Sequence, residues 1–280
     1  MLPGQTLGLD TFKNEFGPGI IVLGENDGTF DAARIDGFRI TGADQGGAIL
    51  VNGYTNNLLI SNNRISGNQG FYGGGIRVGH PELIFQAAGG EQVHVDAQND
   101  GVIIRHNHIA QNGGLNGAGG GVSIHTGAEG YTVSRNFIVG NFTSGDGAGI
   151  GHLGASNGTI SENTITFNQS FNQGLTVIGG GVLVSGLPTV DANTLPVGPG
   201  SGTVLVDSNR IQGNQAGAGD GGGIALRSTN NDLITITNNV IVNNVTGLAG
   251  GGISLQDAAN VNISNNTIAM NDSTATASLA

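Results

Sequence analysis

The chain has 280 residues, 53 of them glycine, with no cysteine or tryptophan and a formal net charge of −11. Nine Lys and Arg against 20 Asp and Glu leave no dense basic surface for phosphate backbones or anionic membranes, so nucleic acid is excluded as an expected partner. No apolar run is long enough to span a bilayer, and the lack of thiols removes disulfides and thiolate metal sites.

In chain order, Met1–Asp10 lacks the basic and apolar regions of a secretion signal. Residues 1–32 are expected to cap the open end of the repetitive region, with Phe12, Phe16, Ile20, Val22 and Phe30 as the apolar side. From residue 33 onward Ile and Val recur in short alternating runs with no sustained 3.6-residue period, the pattern of half-buried strands. The first of these runs, "IDGFRITGADQGGAI", sets Phe38 and Ala43 in two columns that every later repeat fills with asparagine.

Seven repeats carry that asparagine pair. The first column is Asn63, Asn107, Asn136, Asn163, Asn209, Asn239 and Asn266, each followed two residues later by Ile. The second, five residues on, is Asn68, Asn112, Asn141, Asn168, Asn214, Asn244 and Asn271. A glycine run and an aliphatic residue come next, as in Gly119-Gly120-Gly121-Val122 or Gly250-Gly251-Gly252-Ile253, and a further strand such as Val261-Asn262-Ile263 precedes the next asparagine. The steps between first-column asparagines are 44, 29, 27, 46, 30 and 27 residues. A base period near 28 fits one three-strand coil of a solenoid whose coils stack about 4.8 Å apart. Inward asparagines would then pass amide hydrogen bonds from coil to coil, and the glycines would serve a corner that needs positive φ.

The two long steps mark insertions at 79–99 and 185–202, both after the strand that follows the glycine run. They lie three coils apart and are expected to wall one groove, or to cover the outward Leu59, Ile103 and Leu205. The last repeat is followed only by "STATASLA", so the chain is expected to be a segment of a longer secreted or cell-surface protein whose signal and anchor lie elsewhere.

The repeat resembles the right-handed parallel β-helix of the pectate-lyase-like superfamily, and its "IxxN" and "GGG[IV]" elements are partly similar to the repeats of polymorphic outer-membrane proteins, with Ile in place of Phe. The resemblance implies an all-β, right-handed, single-stranded parallel β-helix of about eight three-strand coils over residues 33–280. It leaves function open, since the superfamily holds polysaccharide lyases, hydrolases, epimerases, tailspikes and adhesins.

In the lyase-like relatives the strand after the glycine run bears the active site. Here its outward positions gather Arg77, His80, Ser123 and His125, joined by His94, Asp96 and Asp100 from the first insertion. That set suits β-elimination on a uronate, with His80 or His125 abstracting a proton and Arg77 offsetting the carboxylate, or else it is a solvated cluster. The aspartate column that holds calcium in pectate lyases has no counterpart, and no metal or cofactor is expected. Asp146 and Asp220 occupy equivalent places before their glycine runs, as turn residues or, for a hydrolase, as a carboxylate pair. His152 falls in the inward column of Ile124 and Val184, as a core histidine, unless a local bulge turns Leu153 inward instead. On another edge Arg64, Arg105, His106, His108 and Arg135 gather, with Arg135 and Glu162 placed to pair across coils; the group forms a solvated corner or else touches an acidic glycan. Outward threonines interrupted by Leu205 and Asn262 do not make the flat ladder of an ice-binding face.

The expected function is therefore an extracellular, non-catalytic, adhesin-like or glycan-binding scaffold whose partner is a polysaccharide or a host or cell-surface glycan. The alternative is an enzyme acting on acidic polysaccharides between the two insertions.

Overall fold

The computed structural model describes residues 17–25, 32–79, 97–115, 118–154, 156–173, 177–186 and 200–274, and the backbone of 84–86 and 92–94. These residues are all strand, turn or coil, and each pass of the chain after the first, which has three strands, runs in order through four parallel sheets. Sheet I holds eight strands, from Ile20–Leu23 to Ile253–Ala258, sheet II eight from Arg34–Asp36 to Val261–Ser264, and sheet III eight from Arg39–Ile40 to Thr267–Ala269. Sheet IV holds seven strands of two residues, from Gln69–Gly70 to Asp272–Ser273. The eight passes make a solenoid of about seven turns.

Two features differ from the sequence expectation. A fourth sheet follows the second asparagine, where two-residue strands such as Phe142–Thr143 are too short to show an alternating pattern. The stack also begins before residue 33, because Ile20–Leu23 pairs in parallel with Ile49–Gly53 and packs Ile20 and Val22 on the core. Phe12, Phe16 and Phe30, the other proposed cap residues, lie outside the described residues.

Alternation puts every second side chain inside. Ile60, Ile104, Val133, Ile160, Val206 and Ile236 form the inward column of sheet II, and Ile65, Ile109, Ile138, Ile165, Ile211 and Ile241 that of sheet III. With the Val and Ile of sheet I they make one continuous buried core. β-branched side chains suit a stack in which each residue packs on its own kind above and below.

The asparagines turn the chain at either end of sheet III, and their amides are fully used. Asn141 is representative: its Oδ1 accepts from both the backbone N–H and Nδ2 of Asn112 (3.0 Å each), one coil before. Its own Nδ2 donates to Oδ1 of Asn168 (3.0 Å) and to the carbonyl of Ile109 (2.9 Å). A buried amide left unpaired would cost more than the net gain of one ordinary hydrogen bond, so each asparagine needs the next. The ladder has a direction, and its start shows it. Phe38 and Ala43 lack amides but still donate their backbone N–H to Oδ1 of Asn63 (2.9 Å) and Asn68 (3.0 Å).

The third glycine of each run packs against this ladder. A Cβ on Gly121 would stand 2.6 Å from the carbonyl oxygen of Gly149 and 3.1 Å from Nδ2 of Asn141. No side chain fits there, which is why the run ends in glycine before the aliphatic residue.

Asn141→Ala removes the acceptor for two donors of Asn112 and one side-chain donor to the Ile109 carbonyl. The expected loss is roughly 2–4 kcal/mol of unfolding free energy in urea titration. Asn271→Ala, whose amide serves a neighbour on one side only among the described residues, is expected to cost clearly less.

Candidate functional site

Between its two end strands the outer face of sheet I is covered. The segments that lead from sheet IV into each glycine run fold back over it, so Ala118 and Ile178 of those segments pack on Leu153, Leu183 and Ala225 as a second, smaller core cluster. The covering turn is possible because its first glycine takes a left-handed conformation; at Gly147, φ is +63° and a Cβ would meet Leu183 Cβ at 3.0 Å. The outward aliphatic residues Leu153 and Leu183 were the sequence signal for this layer.

Arg77, Ser123 and His125 are brought together under that cover, at 1%, 0% and 1% exposure. Arg77 and Ser123 are direct neighbours in the sheet, and Ser123 Oγ lies 2.8 Å from His125 Nε2. Arg77 Nε donates to the carbonyl of Gly79 (3.1 Å), its guanidinium lies 5.4 Å from the centre of the Tyr72 ring, and that ring meets His125 edge-on at 6.4 Å. Tyr72 is itself buried. The expected solvent-facing cluster is thus a closed layer, because the return segment carrying Tyr72 lies over it.

The insertions leave the solenoid at the corner between sheets I and II, as expected, the first containing an antiparallel hairpin of Ile84–Gln86 and Gln92–His94. His94 is placed only as the last residue of that hairpin, opposite Ile84. His80, Asp96 and residues 187–199 lie outside the described residues. Asp100 is exposed at the same corner, where its backbone bonds to Asn56 and Asn57. Leu59, Ile103 and Leu205 are half-buried.

The two candidate hydrolase carboxylates are turn residues. Asp146 Oδ1 accepts from the Ile178 N–H (2.9 Å) and Asp220 Oδ1 from the Ala249 N–H (2.8 Å), each in the following coil. Asp146 also pairs with Arg227 at 2.9 Å. Among the described residues no group of three or more His, Asp or Glu is placed to hold a metal ion.

Inside the core, His152 stands between Ile124 and Val184 as the sequence placed it, and it is satisfied. Its Nε2 lies 3.0 Å from the carbonyl of Gly154 and 2.9 Å from that of Ser201. Carbonyls only accept, so Nε2 bears the hydrogen, and Nδ1 accepts from the Tyr131 hydroxyl at 2.8 Å. Sequence reading missed Tyr131 as the partner. Its ring fits because the next coil has Gly158, where a Cβ would lie 2.1 Å from a ring carbon. Burial lowers the imidazole's pKa from 6.5 to about 4, against the opposing pull of the two carbonyls and of Asp232, and burial raises that of the Tyr131 phenol.

The remaining candidate residues lie on the outer side of sheets II and III in the first four coils. Arg39, Arg64, His108 and Phe137 are consecutive neighbours in one column of sheet III, and all four are exposed. The His108 and Phe137 rings stack at 5.3 Å with planes 21° apart. Arg105 follows Asp36 and Ser61 in an adjacent column of sheet II. Arg135 takes the expected pair across coils, with Nε 2.9 Å and Nη2 3.1 Å from the Glu162 carboxylate. That hydrogen bond and charge raise the pKa of Arg135 and lower that of Glu162.

Residues 141–278 match the family model described as a right handed beta helix region. No curated protein and no solved structure matches the chain.

The His152 site predicts an acid-sensitive stability. The unfolded histidine takes a proton near pH 6.5 and the folded one only near about pH 4, so in that window the unfolded state binds more protons. Stability is expected to be complete above about pH 6.5 and to fall by on the order of 3 kcal/mol as pH drops to about 4. Urea midpoints measured across that range should fall less steeply for His152→Leu than for the parent; parallel curves would contradict this account.

Proposed function

Because the chain is a right-handed parallel β-helix repeat protein, we propose that it serves outside the cell or at a cell surface as a rigid, non-catalytic scaffold that presents its faces to glycans. The observation that carries this reading is the closure of sheet I. Arg77, Ser123 and His125, the densest group of reactive side chains the repeat assembles, sit beneath Tyr72 and the return segments, where a polymer has no path to them. Asp146 and Asp220 are likewise committed to backbone N–H groups of neighbouring coils, which suits structure better than acid–base work.

The composition supports the same setting. A chain of many small residues and few charges, with no cysteine to form a disulfide, stacks its coils here and offers long faces whose decoration is free to vary. Such faces bind by many weak contacts repeated along a polymer.

One observation favours the enzymatic alternative: Ser123 Oγ and His125 Nε2 are within hydrogen-bond distance beside the Arg77 side chain, an arrangement able to move a proton near a carboxylate. That reading requires the Tyr72 segment to swing away. Incubation with a panel of polyuronates separates the two. No unsaturated product is expected from the parent protein, by ultraviolet absorbance, while direct binding to immobilised glycans is. Product formation that disappears in His125→Ala and Arg77→Ala would sink the scaffold reading.

A further inference from the structure

The solenoid segregates its charge. Sheets II and III with the turn between them occupy residues 33–40, 59–66, 103–110 and 132–139 in the first four coils; these segments hold five arginines against one acid, Asp36, for a formal charge of +4. The matching segments of the last four coils, 159–166, 205–212, 235–242 and 262–269, hold Arg210 against Glu162 and Asp207, for −1. Five of the nine basic residues of a chain of net charge −11 thus lie on one half of one face, and all five are exposed.

Stacking makes this costly. Arg39 and Arg64 are direct lateral neighbours, and like charges about 4.8 Å apart in a sheet column repel. The fold has a simple remedy, an acid in the same column one coil away, and it uses that remedy at Arg135 and Glu162. It does not use it for Arg39 and Arg64. Asp36, the one acid nearby, has its Oδ1 engaged by Ser61 Oγ (2.6 Å) and Asn62 Nδ2 (2.7 Å), and these hydrogen bonds hold its pKa below the usual carboxylate value. A repulsive column left in place where the fold could neutralise it indicates that the neutralising charge comes from outside.

We propose that this column, Arg39, Arg64 and the stacked His108–Phe137 pair flanked by Arg34 and Arg105, binds a linear carboxylated polysaccharide laid along the helix axis. The inference rests on the glycan-presenting reading above and assigns that reading its ligand class and its site. Guanidinium groups accept carboxylates in bidentate fashion. The exposed Phe137 ring, fixed by its stack on His108, offers apolar surface to the C–H groups of a sugar. Uronate polymers present those two features in alternation. A single-stranded nucleic acid would instead want successive aromatic platforms for successive bases, and only one such stack lies in this column.

The test is isothermal titration of the full chain with sodium polygalacturonate, a neutral glucan and single-stranded poly-dT, at low and moderate salt. Polygalacturonate is expected to bind with an affinity that falls as salt rises, and the double variant Arg39→Gln/Arg64→Gln to weaken it by at least about tenfold. Arg210→Gln, exposed in the same column four coils from Arg64, is the control and should change it by less than about twofold. Polygalacturonate binding that the double variant leaves intact overturns the site, as does tighter binding of poly-dT. Binding of the neutral glucan, indifferent to the arginines, would remove this site and keep the scaffold reading. Failure of every glycan to bind, in titration and on immobilised panels, would remove both.

Discussion

The structure depends on one demand, that a side-chain amide buried at a turn must find two acceptors and two donors without water. In the interior coils they are supplied by the asparagine of the next coil, the backbone N–H and amide of the one before and a carbonyl of the preceding coil, with a carbonyl of the same coil added at Asn107, Asn209 and Asn239. Because each amide is completed by its neighbours, the two ladders lock the register of every coil to the next. The period of the solenoid, the position of its corners and the alternation of its strands all follow from that lock. Insertions of any length can leave the corner between sheets I and II, since no ladder passes there.

The glycine run answers a second demand that the ladders create. With an amide lining the corner, the adjoining backbone has to approach closely, and at Gly121 and its equivalents no Cβ can be accommodated. The same turn lays the return segment over the outer side of sheet I. The face that would be the open one in a single-walled solenoid is therefore double-walled here, and Arg77, Ser123 and His125 belong to the wall. Arg39, Arg64, His108 and Phe137, which solvent does reach, lie instead on sheet III.

Much of this was legible in the residues. Fourteen asparagines at fixed offsets marked the ladders, and the Phe38 and Ala43 exceptions marked their first rung, since the start of the ladder needs only a backbone N–H. The inward place of His152 and the Arg135–Glu162 pair followed from alignment of repeats, because residues in register are in contact. What escaped was whatever crosses the register. The cover over sheet I comes from segments that vary in length and have no period, so only the apolar outward Leu153 and Leu183 betrayed it. Tyr131 and Gly158 look unremarkable singly, as an aromatic and one more glycine among many. Their connection appears when the ring is seen filling the space the next coil leaves empty. The group expected around Arg77 was found in part, with His80 and Asp96 outside the described residues, but its exposure could not be inferred from strand alternation, which fixes direction and not what lies beyond.

In a stacked fold the meaning of a residue is set by those directly above and below it, and this separates packing from function even within one sequence. Tyr131 is too large for its column, and Gly158 offsets it in volume while His152 takes its hydroxyl. Ser123 and Gly151 are small because a glycine turn presses on the strand from outside. Arg135 has its charge answered by Glu162. Each of these departures is compensated by another within a coil or two, as selection for stability alone would produce. The Arg39–Arg64 column is the departure for which the described residues offer no such compensation. A fold able to neutralise a charge by one substitution in the next coil, and shown to do so elsewhere, keeps these two cations side by side and open to solvent. Stability does not account for that arrangement, and the proposed recognition of an external carboxylate would.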